Sequence, residues 1–150
     1  AHRFVFQKTL NSLFVLSRNL VIDSYDKNLR MPITEYLPEY LNFPCIRRLF
    51  LKNKKEFSTK KRSGRAIKLG RDFTVVPRIC SELYFDTSFT PPPGIPVLCL
   101  VNDSWFAADY LRHLMLLFAR FKALEWQADV VYVGHYRGVW ITKEGVVQNI

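Results

Sequence analysis

The stretch Gly94–Val101, with the sequence Gly-Ile-Pro-Val-Leu-Cys-Leu-Val, decides the fold class of this chain. Residues 95–101 are almost wholly apolar and do not alternate with polar residues, which is typical of a strand buried on both faces of a parallel sheet. The following Asn102-Asp103-Ser104 are turn formers that end the strand. A long helical pattern and a second apolar run, Val130–Val133, come next. This order predicts a strand–helix–strand unit and an α/β fold.

The helical pattern is expected to begin at Asp109, whose side chain suits a helix N-cap. Its apolar side chains recur on one helical face, which we expect to pack against the sheet. That face comprises Leu111, Leu114, Met115, Phe118 and Phe121. The polar side chains on the other faces should point outward; they are Arg112, His113, Arg120 and Lys122.

Shorter elements are expected on either side of this unit. Toward the N-terminus, Arg3–Phe6 predicts a strand, and the apolar spacing from Thr9 to Val21 predicts a helix. The remaining candidates are a short helix over Ile33–Leu41, a helix or strand over Ile46–Leu51, a strand over Phe73–Val76 and a strand or helix over Ile79–Phe85. The C-terminal residues Val130–Ile141 and Val146–Ile150 predict a hairpin around Lys143-Glu144-Gly145.

Charge is concentrated in one segment of the 150-residue chain. The net charge is +9, and Arg47–Arg71 alone holds 11 of the 22 basic residues with a single acid, Glu56. The rest of the chain is nearly neutral. Such a segment is typical of a loop or arm that binds a polyanion, although a solvated charged loop has the same composition.

The basic segment is the candidate nucleic-acid-binding site. Its side chains can neutralise several phosphates and release counterions, and arginines near aromatic residues suit structured RNA. The candidate RNA-binding residues are Arg47, Arg48, Lys52, Lys54, Lys55, Lys60, Lys61, Arg62, Arg65, Lys68 and Arg71.

Signals for cofactor or catalytic chemistry are weak. The chain has no glycine-rich phosphate loop, and the turn after the central strand contains no glycine. Cys45, Cys80 and Cys99 form no paired motif, and the three histidines lack metal-ligand spacing, so we expect no disulfide, no metal and no cofactor. Asp103 and Ser104 with a histidine lack the nucleophile-elbow pattern, so no catalytic residue is predicted.

Several motifs resemble one family, the universal small-subunit ribosomal protein S-two in its short mitochondrial form. Lys8-Thr9-Leu10 resembles the Lys-Thr-Leu that opens a helix in that family. The segment Leu41–Arg48 is similar to its Leu-Thr-Asn-Phe-x-x-Ile-Arg motif, without the threonine. Ile95–Asn102 resembles its Ile-Pro-Val strand, and Asp109–Phe121 resembles its last helix.

The resemblance implies a flavodoxin-like parallel sheet flanked by helices. The C-terminal β-hairpin predicted from the sequence pattern has no counterpart in the family and would be an extension. The expected domains are residues 1–126, with the basic loop at 52–71, and the extension at 127–150. It further implies a structural, non-catalytic constituent of the mitochondrial small ribosomal subunit, located in the matrix. Its partners would be rRNA and neighbouring ribosomal proteins, with no membrane and no small-molecule substrate.

Two other functions stay open. One is a free RNA- or DNA-binding module outside the ribosome. The other is an α/β enzyme with an unrecognised site, which should have a deep pocket at the carboxyl ends of the strands near Asn102–Trp105.

Overall fold

The computed structural model describes residues 2–5, 8–50, 57–58, 65–70, 72–104 and 108–150. The chain forms two compact units, Ala1–Ser63 and Gly64–Ile150, and each is described by itself. The predicted division at residue 126 stays a prediction. None of the helices in the described ranges is long and apolar enough to cross a membrane.

The N-terminal unit begins with an antiparallel sheet of three strands in the order β1-β2-β3. These are β1 (His2–Val5), β2 (Lys8–Ser17) and β3 (Leu20–Asp26). Because the two residues that join β2 to β3 have positive φ angles, 46° at Arg18 and 65° at Asn19, the connection is a tight hairpin turn. The predicted strand at residues 3–6 is thus confirmed in its described part, residues 3–5.

The helix predicted over Thr9–Val21 is wrong, since these residues lie in β2 and the start of β3. The apolar side chains in this segment fit both the period of a helix and that of a strand. The turn at Arg18-Asn19 is compatible only with the two strands. Leu10 and Ser12 are buried on one face of β2, as the two-residue period of a strand requires.

The rest of the N-terminal unit is largely irregular. The helix predicted over Ile33–Leu41 is reduced to one turn of 3₁₀ helix at Glu39–Leu41. Helix α1 spans Pro44–Phe50, so the helical alternative for residues 46–51 is the one observed in the described residues. A proline at the first position of α1 fits its start, because that residue needs no hydrogen-bonded N–H.

The C-terminal unit is a six-stranded mixed sheet with strands in sequence order from β4 to β9. The strands are β4 (Ile67–Leu69), β5 (Phe73–Ile79), β6 (Val97–Leu100), β7 (Val130–Val133), β8 (Gly138–Ile141) and β9 (Val147–Asn149). The described helices of this unit are α2 (Glu82–Phe85) and α3 (Asp109–Trp126).

The predicted central strand is confirmed. β6 pairs in parallel with β5 on one side and β7 on the other, and Val97, Cys99 and Val101 are buried. The α/β class and the hairpin of β8 and β9 are observed as well. The flavodoxin-like form is not confirmed, because β4, β8 and β9 all pair antiparallel to their neighbours.

Helix α3 packs with a face that only partly overlaps the one predicted: Met115 of the predicted face packs against the core. Its fully buried side chains are the small residues Ala119 and Ala123, which allow the helix to approach the sheet closely. The predicted core residues Leu114, Phe118 and Phe121 are exposed by 46%, 46% and 59%. The predicted cap is wrong too: Ala108 is the N-cap, and Asp109 is the first helical residue.

The difference in burial between Val97 and Phe118 predicts how much each side chain contributes to stability. Val97→Ala should lower the free energy of unfolding of the C-terminal unit by about 2–4 kcal/mol, because it opens a cavity in the core. Phe118→Ala should cost under about 1.5 kcal/mol, since Phe118 keeps 46% of its surface exposed. Chemical denaturation of both variants checks this; an equal cost for the two would contradict the observed packing of α3.

Candidate active site

The carboxyl ends of the three parallel strands lie side by side at one edge of the C-terminal sheet. Ile79, Leu100 and Val133 are in register, so the residues that follow them leave the sheet together. The Cys80 N–H donates to the Leu100 carbonyl at 2.8 Å, and the Val101 N–H donates to the Val133 carbonyl at 2.8 Å. In parallel α/β sheets this edge is where ligands bind.

Cys80 occupies a sharp turn between β5 and α2. Its φ is +51°, in the left-handed region that non-glycine residues rarely adopt. The Leu83 N–H already donates to the Cys80 carbonyl at 3.1 Å, so the chain passes from strand to helix within a few residues. A strained strand–turn–helix junction of this kind presents a nucleophile at the top of a sheet.

Glu82 stabilises the turn at Cys80 through a hydrogen bond to the preceding residue. Its side chain is fully buried, and its Oε2 accepts a hydrogen bond from the Ile79 N–H at 2.7 Å. Because Ile79 is the residue immediately before Cys80, this bond holds the last peptide of β5 in place. Glu82 therefore acts on Cys80 as a positioning residue.

Arg78, two residues before Cys80, is a second buried charged residue next to the same turn. Its guanidinium carbon lies 3.3 Å from the centre of the Phe89 ring, and Nη2 lies 3.8 Å from the Asp86 Oδ2. Stacking on an aromatic face and pairing with a carboxylate offset the cost of burying the charge. Residues 78–89 therefore form a rigid support for the Cys80 turn.

Asp103 links the next two strand ends. Its carboxylate is buried, and its Oδ1 accepts a hydrogen bond from the His135 N–H at 2.7 Å. A Cβ at Gly134 would lie 2.6 Å from the Asp103 Oδ2, so only glycine fits there without a shift of that carboxylate. The loop after β7 is thus held against the loop after β6.

Two tyrosines lie among these groups with hydroxyls that make no hydrogen bond to the described part of the chain, Tyr84 and Tyr132. Burial is the main cause that raises the pKa of Tyr132 above its usual range, and the nearby Asp103 carboxylate adds to it. Burial is also the main cause that raises the pKa of Tyr84, and electrostatic interactions with Cys99, Tyr132 and Cys80 add to it. Both hydroxyls stay protonated at neutral pH.

These raised pKa values predict a loss of stability at alkaline pH. Tyrosines of the unfolded chain lose their protons near pH 10, whereas Tyr84 and Tyr132 keep theirs in the folded protein. Stability should be unaffected below that pH and fall above it, by up to about 1.4 kcal/mol per pH unit for each tyrosine. Tyr132→Phe should make the fall shallower, and the exposed Tyr110→Phe should not. Denaturation from pH 8 to 11 measures this; identical slopes for wild type and Tyr132→Phe would contradict it.

The predicted RNA-binding residues are only partly described. Arg47 and Arg48 are exposed on α1, Arg65 is exposed before β4, and Lys68 is exposed on β4. The others lie outside the described residues, namely Lys52, Lys54, Lys55, Lys60, Lys61, Arg62 and Arg71. Their predicted role in RNA binding stays a prediction.

The N-terminal unit has a polar cluster of its own around a buried ion pair. Lys27 Nζ lies 2.8 Å from both carboxylate oxygens of Glu35, and its side chain is only 2% exposed. Glu35 also accepts hydrogen bonds from the Met31 N–H at 2.7 Å and from Asn11 Nδ2 at 3.3 Å. The three donors to the Glu35 carboxylate connect residues 27–35 with one another and with Asn11 of β2.

Among the described residues, no three histidine, cysteine, aspartate or glutamate side chains form a metal-binding cluster. None of the three cysteines forms a disulfide. Cys99 is a buried core residue, as predicted, whereas the sequence prediction did not single out Cys80. Its signal in the sequence is a mostly apolar run, interrupted by Arg78, that ends in cysteine directly before the polar Ser81-Glu82.

Comparison with solved structures identifies the fold. A CN-hydrolase superfamily protein from Xanthomonas campestris, with an arsenic adduct in its active site, has a TM-score of 0.60 and 15% identity. A glutamine-dependent NAD⁺ synthetase from Acinetobacter baumannii, in complex with ADP, has a TM-score of 0.59 and 13% identity. A Nesterenkonia amidase of the nitrilase superfamily, in a variant with one cysteine replaced by alanine, has a TM-score of 0.53 and 14% identity.

The comparisons cover 99%, 97% and 88% of this chain, which spans only 56%, 27% and 47% of the respective proteins. No protein-family model matches the sequence. No curated protein matches it either.

These similarities contradict the ribosomal resemblance. Two of these three structures are CN-hydrolase or nitrilase superfamily proteins, the third is an NAD⁺ synthetase, and none of the three is ribosomal. One of the motifs lies on a different element from the one expected: Lys8-Thr9-Leu10, expected to open a helix, lies in β2. The predictions of a ribosomal, non-catalytic protein, of rRNA and ribosomal partners and of no small-molecule substrate are therefore wrong.

Proposed function

We propose that this chain is part of an enzyme that hydrolyses a carbon–nitrogen bond of a small-molecule amide, with Cys80 as the nucleophile. The observation that carries the proposal is the Cys80 turn, a cysteine at φ +51° between a parallel strand and a helix. The fold supports it, since one similar structure is an amidase of the nitrilase superfamily. Another holds arsenic in its active site, and arsenic binds thiolates strongly, as soft elements do.

The chemistry follows from the nature of a thiol nucleophile. The Cys80 sulfur attacks the amide carbonyl carbon, and the carbon–nitrogen bond breaks as a thioester forms. The nitrogen leaves as ammonia or an amine, carrying the proton from the thiol. Water then cleaves the thioester, giving its hydroxyl to the acid product and its proton back to the sulfur.

The surrounding residues position this reaction. Glu82 and the stacked Arg78 hold the strand end that carries Cys80. Tyr84, whose buried hydroxyl interacts electrostatically with Cys80, stays protonated and can donate a hydrogen bond to a carbonyl oxygen.

The test is capture of the acyl-enzyme. The protein is mixed with a panel of primary amides that includes glutamine, asparagine and short aliphatic amides. Ammonia release is measured together with the intact mass of the quenched protein. We expect ammonia release and an acyl adduct that peptide mapping places on Cys80. An adduct on a different residue, or release of ammonia without dependence on Cys80, would overturn the proposal.

A further inference from the structure

A small pocket opens between the N-terminal turn of α3 and the loops that follow β6 and β7. Its volume is about 240 Å³, and it lies wholly within the C-terminal unit. Helix α3 contributes Asp109, Arg112 and His113, and the loop after β7 contributes Tyr136 and Arg137. This volume is enough for one small polar group and part of the molecule that carries it.

The floor of the pocket contains an unsatisfied hydroxyl. Tyr132 lines the pocket and is only 1% exposed, yet its hydroxyl makes no hydrogen bond to the described residues. Leaving a buried hydroxyl without a partner costs stability, and a ligand that accepts its hydrogen bond recovers that cost. The hydroxyl therefore points to a ligand with an acceptor oxygen.

The pocket is lined by two arginines and two aspartates, whose charges sum to zero. Asp109 is paired with Arg112, whose guanidinium also lies 4.2 Å from the centre of the Tyr136 ring. Asp103 is buried and accepts the His135 N–H. Arg137 is exposed and its side chain makes no ion pair or hydrogen bond to the described residues, so its guanidinium can bind an anionic group of a ligand.

The start of α3 adds a weaker contribution of the same sign. The N-terminal end of a helix carries a partial positive charge, which favours an anion beside the first turn. Because the pocket has no excess positive charge, the carboxylates of Asp103 and Asp109 would repel a phosphate dianion more strongly than a monoanion. A carboxylate matches both the charge and the planar fork of an arginine.

We infer that this pocket binds the carboxylate group of a small organic acid, with Arg137 as the cation and the Tyr132 hydroxyl as the buried donor. The inference deepens the proposed function and rests on it for one point: if Cys80 attacks an amide, the carboxylate belongs to the substrate, which is then an amide of a dicarboxylic acid. The other source of the carboxylate is a separate carboxylic acid, which binds in this pocket without occupying the Cys80 site.

Direct titration of the protein with glutarate, followed by NMR or calorimetry, tests the inference without using the reaction. We expect saturable binding that weakens about tenfold or more in Arg137→Gln and in Tyr132→Phe, since each removes a hydrogen bond to a charged group. Matched controls are Lys143→Gln, at the opposite edge of the sheet beside Asp129, and the exposed Tyr110→Phe. Both should bind glutarate as the wild type does.

Three results would overturn the inference: no saturable binding of glutarate, unchanged affinity in Arg137→Gln, or tighter binding of inorganic phosphate than of glutarate. The Cys80→Ala variant separates this inference from the proposed function, because it should bind glutarate as the wild type does even if no amide is hydrolysed. Alkylation of Cys80 by iodoacetamide then distinguishes the two sources. Protection by glutarate supports a substrate carboxylate, and binding without protection supports a separate acid.

Discussion

Replacing Cys80 by alanine is expected to lower kcat/KM for amide hydrolysis by roughly 10⁴-fold or more, since removal of a covalent nucleophile has an effect of this size. Alanine keeps the backbone able to adopt the same turn but has no sulfur to attack the carbonyl carbon. The loss should appear in kcat, because the thioester forms only after the substrate has bound. Ammonia release from the best amide of the panel measures it.

Two controls show whether the loss of activity in Cys80→Ala comes from removal of the nucleophile rather than from unfolding or from the loss of any thiol. Cys45→Ala removes an exposed thiol from the other compact unit and should leave the rate unchanged. The Cys80→Ala protein should unfold within about 1 kcal/mol of the wild type, because one sulfur atom at a partly exposed site contributes little burial. A folded Cys80→Ala protein with wild-type activity would rule out Cys80 as the nucleophile.

Glu35→Gln is expected to destabilise the N-terminal unit by about 3–5 kcal/mol, the cost of leaving a buried charge without its partner. Glutamine has nearly the shape of glutamate, so packing is retained. The ammonium group of Lys27, only 2% exposed, would then face a neutral amide in place of a carboxylate. Urea denaturation, with hydrogen exchange of the β2 and β3 amides as the local probe, measures the loss.

The matched control is Glu125→Gln, which breaks the partly exposed pair between Lys122 and Glu125 on α3. That pair should contribute under about 1 kcal/mol, because water screens it. A similar cost for Glu35→Gln and Glu125→Gln would show that burial of the Lys27–Glu35 pair has no energetic consequence.

The central strand could be predicted from the sequence because its signal is local and unambiguous. A short, unbroken apolar run between turn formers is typical of a strand buried on both faces, and β6 is such a strand. Helix α3 was placed correctly as an element, but its inward face was predicted only in part. The small side chains Ala119 and Ala123 are the fully buried ones, with Met115 of the predicted face packed beside the core, whereas the large apolar residues Phe118 and Phe121 are exposed.

The β2–β3 hairpin was missed because the spacing of leucine, phenylalanine and valine in residues 9–21 satisfies a helical period. The decisive feature is the backbone of Arg18 and Asn19, where two successive positive φ angles make the turn. Arginine is an uncommon residue in that conformation, so the sequence carries only the asparagine as a turn signal.

The site could not be predicted because strand register creates it. Cys80, Asp103 and His135 are far apart in the chain, and the register of β5, β6 and β7 places them at the same end of the sheet. A lone cysteine is usually a small core residue, which is the role of Cys99. The positive φ that distinguishes Cys80 is visible only in the structure.

Competition among the three thiols for a limiting amount of iodoacetamide at neutral pH tests most directly whether Cys80 is the nucleophile. Exposure alone ranks Cys45 first, Cys80 second and the buried Cys99 last. Peptide mapping by mass spectrometry after brief labelling gives the relative rates. An activated nucleophile reacts faster than a more exposed but ordinary thiol. We therefore predict that Cys80 is alkylated before Cys45 in the folded protein and loses this advantage in denaturant. Faster labelling of Cys45 than of Cys80 in the folded protein would contradict the assignment of Cys80.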